Sequence, residues 1–498
     1  MTNRLFHKTR TKTRIVVSFV FAAIILVTIL LKSLLKFNDV RSCFTFYGIY
    51  AFIVYFLITI LTIKVTKKAT LFHIFLPLTF VFYFGGQLLV SLGYYEELSA
   101  RIYSVVDDRV PLESKIEAMS FILICVLLIS IGYALLVNKQ SKNTRRGLIS
   151  DLAQSNNLYR LGLLLLVITI IPTLISLTKN VFMSVSYGHL GYREEKAEET
   201  GIWFLFSYLA GWFKPACYMI VVSKKNDKKR FIGYACLIAY SILYLMSGSR
   251  YQVIEIAFCI LAIRFVWNRR RINLKTVLKW LVGLFIFGIL LKVIGYARQE
   301  STGLNIFDAR MLKEVFKENI VYQLLSTTST TFTTISNIIY RCPSEIPFNN
   351  CQGYLGAAFY TLPSFLRPNW MSSLNVDVEK VFSPLYYNLT TSGYGSSFLA
   401  EMYFNLGYFS YAGCFVFGLV LAAIINKTYA SAQNNNSFTF FACIFLLSEL
   451  VWGIRSDLFL VPRHMVLYVL IPAIVLKLFY KQRMGIQIYS KQNQVFNK

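Results

Sequence analysis

Apolar runs of roughly 17–25 residues, the length that crosses a bilayer as helix, follow one another along most of this chain. In hydrocarbon the backbone must satisfy its own N–H and C=O groups, which a helix does and an open strand does not. The 498 residues are 56% hydrophobic and only 15% charged, whereas a water-soluble domain is about a quarter charged. The chain is therefore read as an all-α polytopic integral membrane protein. Intrinsic disorder, a coiled coil and a secreted disulfide scaffold are excluded on the same grounds.

Twelve spans are predicted, near 15–35, 43–63, 71–95, 118–137, 160–178, 202–222, 231–247, 251–267, 276–296, 398–425, 437–453 and 459–479. The count rises to fourteen if parts of 321–340 and 353–366 dip into the membrane. The organisation is a basic tail (1–14), nine spans through 298, one large outer loop (299–397), three spans over 398–479 and a tail (480–498). The first span is long and lacks a small-residue cleavage site, so it is expected to stay as an anchor.

Lys and Arg in short loops mark the cytoplasmic side. The N-terminal tail carries Arg4, Lys8, Arg10, Lys12 and Arg14 with no acid, and alternate loops repeat the pattern, as at Lys224, Lys225, Lys228, Lys229 and Arg230. The opposite loops are balanced or acidic: 96–117 holds six acids against three bases, and 179–201 four against three. Both termini are thus expected in the cytoplasm. The net charge of +27 is topological, with attraction to anionic membrane lipid, and does not indicate nucleic acid.

Nucleotide-binding motifs are absent from the short cytoplasmic loops, so no nucleotide drives chemistry there. The loop 299–397 is far longer than the rest, and loops of that length are usually functional. It holds a charged amphipathic stretch (Phe307 to Ile320), a Thr-rich stretch (Val321 to Tyr340) and a Pro/aromatic stretch from Tyr360 to Trp370 (YTLPSFLRPNW). Of nine cysteines, Cys342 and Cys351 fall in this loop. A disulfide between them is one reading if the compartment is oxidising, and two unpaired thiols the other.

Three acids, Glu255, Glu401 and Glu449, fall within spans, where ionisable groups are costly and functional by default. Lys32, Lys214, Arg264, Lys279, Lys292, Arg463 and Lys477 lie at or near span ends and are read as snorkelling. Five arginines are placed at the outer face. Arg250 closes the tight turn Ser247 to Arg250 (SGSR), Arg298 follows span nine, and Arg367 lies in the Pro-rich stretch. Arg455 lies between the last two spans, and Arg193 in the loop after span five. Guanidinium is always charged and binds phosphate oxygens bidentately, so several converging there suit an anionic lipid headgroup, a diphosphate in particular.

The SGSR turn, the single large outer loop, the segment Gly393 to Gly407 (GYGSSFLAEMYFNLG) and the turn Ile454 to Asp457 (IRSD) resemble the Wzy-type polymerases of O-antigen and capsule repeat units. The resemblance implies the all-helical membrane glycosyltransferase (GT-C-like) architecture, in the inner membrane with the active site on its periplasmic face. It implies donor and acceptor that are both undecaprenyl-diphosphate-linked oligosaccharides, no cofactor, and room for a chain-length regulator protein as partner. The growing glycan would leave its lipid diphosphate for the non-reducing end of a new lipid-linked repeat. The related O-antigen ligases carry a His in the large loop. Here His7, His73, His189 and His464 all lie elsewhere, which favours the polymerase.

Such a transfer needs a stabilised diphosphate leaving group and a base for the attacking hydroxyl. Arg250 and Arg298 are assigned the first task, with Arg455 or Arg367 assisting, since fixed positive charge in a partly dry site serves without a metal. No dense carboxylate cluster for Mg²⁺ is evident on the outer side. Glu401 is the first choice of base and Asp457 the second. Glu255 is read as an orienting partner of Arg250, and Glu449 as paired with Arg455 or Arg463. Glycan binding is assigned to loop aromatics and amides, among them Tyr354, Tyr360, Trp370 and Tyr386, although aromatic residues also anchor at the bilayer interface. A lipid-linked oligosaccharide flippase or transporter and a ligase are the alternatives. The clustering of acids and arginines toward the outer face favours one-sided chemistry over alternating access.

Overall fold

A computed structural model describes residues 2–100, 105–106, 109–137, 148–197, 201–223, 227–247, 251–268, 319, 322, 325–326, 328–362, 367, 370–371, 374, 377–378, 381–382 and 395–478. Among these the regular structure is helical throughout, without a strand. In chain order the helices are α1 (Thr2–Leu34), α2 (Val40–Thr66), α3 (Phe72–Ser91), α4 (Tyr95–Ser99), α5 (Leu112–Leu136), α6 (Leu148–Ala197), α7 (Gly201–Ala210), α8 (Phe213–Ser223), α9 (Asp227–Met246) and α10 (Tyr251–Asn268). Then come α11 (Thr330–Arg341), α12 (Gln352–Phe359), α13 (Phe398–Leu406), α14 (Ser410–Gln433) and α15 (Ser437–Trp452). The last is α16 (Val461–Leu478).

Nine stretches of helix among the described residues are long and apolar enough to cross a membrane. Helices α10 and α15 cover two more of the predicted spans. The span expected at 276–296 lies outside the described residues. Apolar side chains face outward on the peripheral helices, with Phe19 71%, Phe56 58% and Val167 71% exposed. Water would penalise such faces, whereas lipid covers them. Polar ends are closed by side chains: Asp39 caps α2 by accepting from Ser42 N–H at 2.7 Å, and Asn436 caps α15 by accepting from Thr439 N–H at 3.0 Å.

At the centre stands α5, buried on nearly every side and packed on α1, α2, α11 and α14. A helix apolar all round belongs inside a bundle. It meets α14 backbone to backbone: a Cβ on Gly132 would overlap the Phe415 carbonyl, and one on Gly418 the Ile129 carbonyl. Between helices that lipid solvates as well as they solvate each other, such small-residue contacts supply van der Waals attraction.

Two predicted spans are broken. The run expected at 202–222 is α7 and α8, separated at Gly211 and Trp212. The run expected at 398–425 begins as the short α13, turns through Gly407–Phe409 and continues as α14. The loop expected after span five is helix instead: α6 runs unbroken from Leu148 to Ala197. Charged residues past the apolar run end the span without ending the helix, so Arg193 and His189 sit on its extension rather than in a loop.

Part of the segment expected as the large outer loop folds into the bundle. Helix α11 is formed by the Thr-rich stretch and packs against α3, α5 and α13. Its residues Thr331 to Ile339 are all buried, and Phe332 meets Phe44 of α2 edge to face with centroids 5.9 Å apart.

Candidate functional site

Helix α13 carries the first acid. Ser397 caps it by accepting from Ala400 N–H at 3.1 Å, and Phe398 N–H donates to the Gly453 carbonyl at 2.7 Å. That ties the start of α13 to the turn joining α15 and α16, and it puts Glu401 in the first turn. Glu401 is 1% exposed. Its Oε2 accepts from Leu458 N–H at 2.6 Å, while Oε1 is buried without a hydrogen bond among the described residues.

Residues 453–460 form the other wall. Asp457, 4% exposed, accepts at Oδ2 from Val378 N–H at 2.8 Å. Arg455 lies on the same turn, with its carbonyl and Nε against Gly395, whose φ of +92° suits glycine. Phe459 receives the Tyr360 ring edge to face at 5.7 Å. Arg367 in turn stacks over Tyr360, 4.5 Å from its centroid, and donates from Nε to the Leu362 carbonyl at 3.0 Å. Trp370 packs edge to face on Phe359 at 5.2 Å.

Asn405, four residues after Glu401, fastens the 349–353 loop to α13. Its Oδ1 accepts from Asn349 Nδ2 at 3.0 Å and from Gly353 N–H at 2.9 Å. Its Nδ2 donates to the Glu401 carbonyl at 3.0 Å, and its own carbonyl accepts from Cys351 N–H at 2.8 Å. Any side chain at 353 would meet Asn405 Oδ1 at 2.5 Å. This clamp brings Tyr354 beside the acids. Burial first, and then the Glu401 carboxylate, hold the Tyr354 phenol far above the usual tyrosine range. It therefore stays protonated and able to donate.

A second polar cluster joins α8, α10, α15 and α16. Lys214 pairs with Glu255 at 2.6 Å, and Ser448 donates to the same carboxylate. His464 Nδ1 stands 2.7 Å from Glu449 Oε2. Lys214 is thus not a snorkelling lysine at a span end but half of an interior ion pair with Glu255; the expected pairing of Glu255 with Arg250 lies outside the described residues. Glu449 pairs with His464 rather than with Arg455 or Arg463.

Six of the residues nominated from sequence, together with Leu458, therefore form one region: Glu401, Asp457, Arg455, Tyr354, Tyr360 and Arg367. Trp370 borders it through Phe359. Arg250, Arg298 and Tyr386 lie outside the described residues, and of Arg193 only the backbone is described. The disulfide is not formed: Cys342 is buried and Cys351 exposed, both as free thiols. The two face different surroundings. Burial, and after it Glu345, push the Cys342 thiol up to about 12, whereas Cys351 is exposed while its main-chain N–H donates to the Asn405 carbonyl. No group of three or more His, Cys, Asp or Glu among the described residues is arranged to hold a metal.

Sequence reasoning passed over Asn405, Asp377, Lys214 and His464. Asn405 did leave a signal, an amide one helical turn from a buried acid. The other three signal only through contacts between distant helices and loops.

No curated protein matches the chain, and no solved structure does. The family model described as O-antigen polysaccharide polymerase Wzy matches residues 14–484, which takes in every described span and the whole of the region around Glu401. This all-helical, multi-pass membrane chain belongs to the Wzy family of O-antigen polysaccharide polymerases.

Proposed function

We propose that the protein polymerises undecaprenyl-diphosphate-linked oligosaccharide repeat units on the outer face of the inner membrane. A hydroxyl at the non-reducing end of one lipid-linked repeat attacks the anomeric carbon of the growing glycan. The bond from that carbon to the diphosphate oxygen breaks, and undecaprenyl diphosphate leaves with the electron pair. The hydroxyl proton passes to Glu401. The observation that carries this reading is the Glu401 carboxylate, with Oε2 fixed by Leu458 N–H at 2.6 Å and Oε1 buried without a partner among the described residues. One oxygen is thus oriented and the other has lone pairs for a proton, the geometry a general base needs.

Arg250 and Arg298 are assigned to the departing diphosphate, with Arg455 or Arg367 assisting. These cations stabilise the developing charge without a metal ion. Tyr354, Tyr360, Trp370 and Tyr386 are assigned to the glycan, and Arg193 to the outer-leaflet headgroup. The finer topology we favour has twelve spans in a GT-C-like arrangement, with both termini cytoplasmic and residues 299–397 outside, where a chain-length regulator has access.

The test is a gel of surface glycan from a strain lacking the gene, complemented with wild type or with Arg250→Ala. Polymerisation predicts lipid A bearing a single repeat unit and no ladder in the deletion, and no ladder with Arg250→Ala at normal protein level. A deletion that attaches no repeat unit at all points to flipping or ligation and overturns the reading.

A further inference from the structure

The dipeptide Asp457–Leu458 has an acid-bearing segment on each side. Leu458 N–H donates to Glu401 Oε2 at 2.6 Å, and Asp457 Oδ2 accepts at 2.8 Å from the N–H of Val378, the residue after Asp377. The segment that follows is also fixed to α13. Val378 is fully buried, and Phe382 packs edge to face on Phe404 with centroids 5.2 Å apart. The segment of Asp377 is thereby anchored once to the 453–460 turn and once to the helix that carries Glu401, close enough for the two carboxylates to act on each other electrostatically. The buried Oε1 of Glu401, without a hydrogen bond among the described residues, marks where a donor is missing.

We propose that Asp377 binds the acceptor sugar beside Glu401, accepting a hydrogen bond from the hydroxyl adjacent to the one that attacks, and that Asp457 is a positioning residue that holds it there. This rests on the polymerase reading of Glu401. An ionised carboxylate accepts hydrogen bonds and does not donate, and the free end of a sugar offers hydroxyl donors on neighbouring ring carbons. Two carboxylates on neighbouring, mutually anchored segments therefore suit a pair of adjacent hydroxyls. The one at Glu401 loses its proton to the base, and the one at Asp377 keeps its proton and fixes the orientation of the ring. Asp457, whose Oδ2 holds the N–H of the residue after Asp377 at 2.8 Å, is assigned the clamp.

The test uses the full-length protein in lipid nanodiscs. The donor is the repeat-unit lipid diphosphate purified from a strain lacking the gene, with its non-reducing-end hydroxyls capped so that it cannot also accept, and the acceptor is an alkyl glycoside of the same repeat unit, which has the hydroxyls but no diphosphate. Losing a hydrogen bond to a charged group, Asp377→Asn raises KM for the alkyl glycoside about tenfold or more. KM for the lipid diphosphate and kcat stay within about threefold. Asp377→Glu recovers part of the loss. Asp457→Ala shifts the same acceptor KM and adds little on top of Asp377→Asn, as expected for residues acting in series. Thermal unfolding checks the fold, and Asp377→Ser replaces Asp377→Asn if that variant is unstable.

An unchanged acceptor KM, a parallel rise in both KM values, or a kcat loss like that of Glu401→Gln overturns the proposal while wild-type turnover leaves the polymerase reading standing. Wild-type protein that transfers nothing between these substrates removes the polymerase reading, and this inference with it.

Discussion

Glu401 and Asn405 lie one turn apart on α13, and the Asn405 amide nitrogen donates to the Glu401 carbonyl at 3.0 Å. The same amide's oxygen takes N–H groups from Asn349 and Gly353. The helix with the acid and the loop with Tyr354 are therefore one unit, joined by this side chain and by main-chain bonds from Asn349 and Cys351 to the Phe404 and Asn405 carbonyls.

Removing that side chain tests the unit. Asn405→Ala leaves a buried main-chain N–H at Gly353 without its acceptor, which costs about 1–3 kcal/mol. The expected outcome is a lower melting temperature in detergent and a loss of turnover. Asn405→Asp keeps the acceptor for Gly353 and should retain more of both. Equal melting temperatures for wild type and Asn405→Ala would show that the clamp is not structural.

Glu401→Gln keeps the shape of the side chain and removes its basicity. Turnover of the repeat-unit lipid diphosphate should fall about 100-fold or more, the usual contribution of a general base. Retention of more than about a tenth of wild-type rate excludes Glu401 as the base.

Lys214→Met strands the Glu255 carboxylate in the interior, since the pair at 2.6 Å loses its cation. Breaking such a pair costs about 3–5 kcal/mol. The double variant Lys214→Met/Glu255→Gln removes both charges and should be more stable than Lys214→Met alone. Thermal unfolding of the three proteins reads this directly, and strictly additive losses would mean that the two residues do not act as a pair.

Metal dependence has a simple assay. With arginines as the electrophilic groups, EDTA should leave turnover unchanged and added Mg²⁺ should not raise it. Activity abolished by the chelator and restored by Mg²⁺ assigns the leaving-group role to a metal ion instead.

Hydropathy made the spans legible because a run of apolar residues is a local property of the chain. Val40–Thr66 and Leu112–Leu136 lie over the spans expected at 43–63 and 118–137. Glu401 stood out too, as an acid within an apolar run, and it is buried at the start of α13. What hydropathy cannot carry is which helices meet. Lys214 looked like a snorkelling residue because its partners, Glu255 and Ser448, arrive from helices 41 and 234 positions further on. Asp377 gave no signal, since its place depends on one hydrogen bond from Val378 to Asp457. Arg193 was expected in a loop because helices and spans were equated, and α6 outlasts its apolar run.

The interruption at Gly407–Phe409 has a mechanical consequence. Helix α14 is locked to α5 through Gly132 and Gly418, and it must tilt or shift when the hydrocarbon thickness around it changes. Helix α13 is instead bonded at Phe398 to Gly453 and at Phe404 and Asn405 to residues 349 and 351, all outside that rod. Phe398 and Met402 of α13 also pack on Phe417 and Cys414 of α14, so the short helix with the acid is held from both sides of the interruption. Reconstitution in lipids of shorter or longer acyl chains therefore loads the joint at Gly407–Phe409, where these two sets of contacts meet.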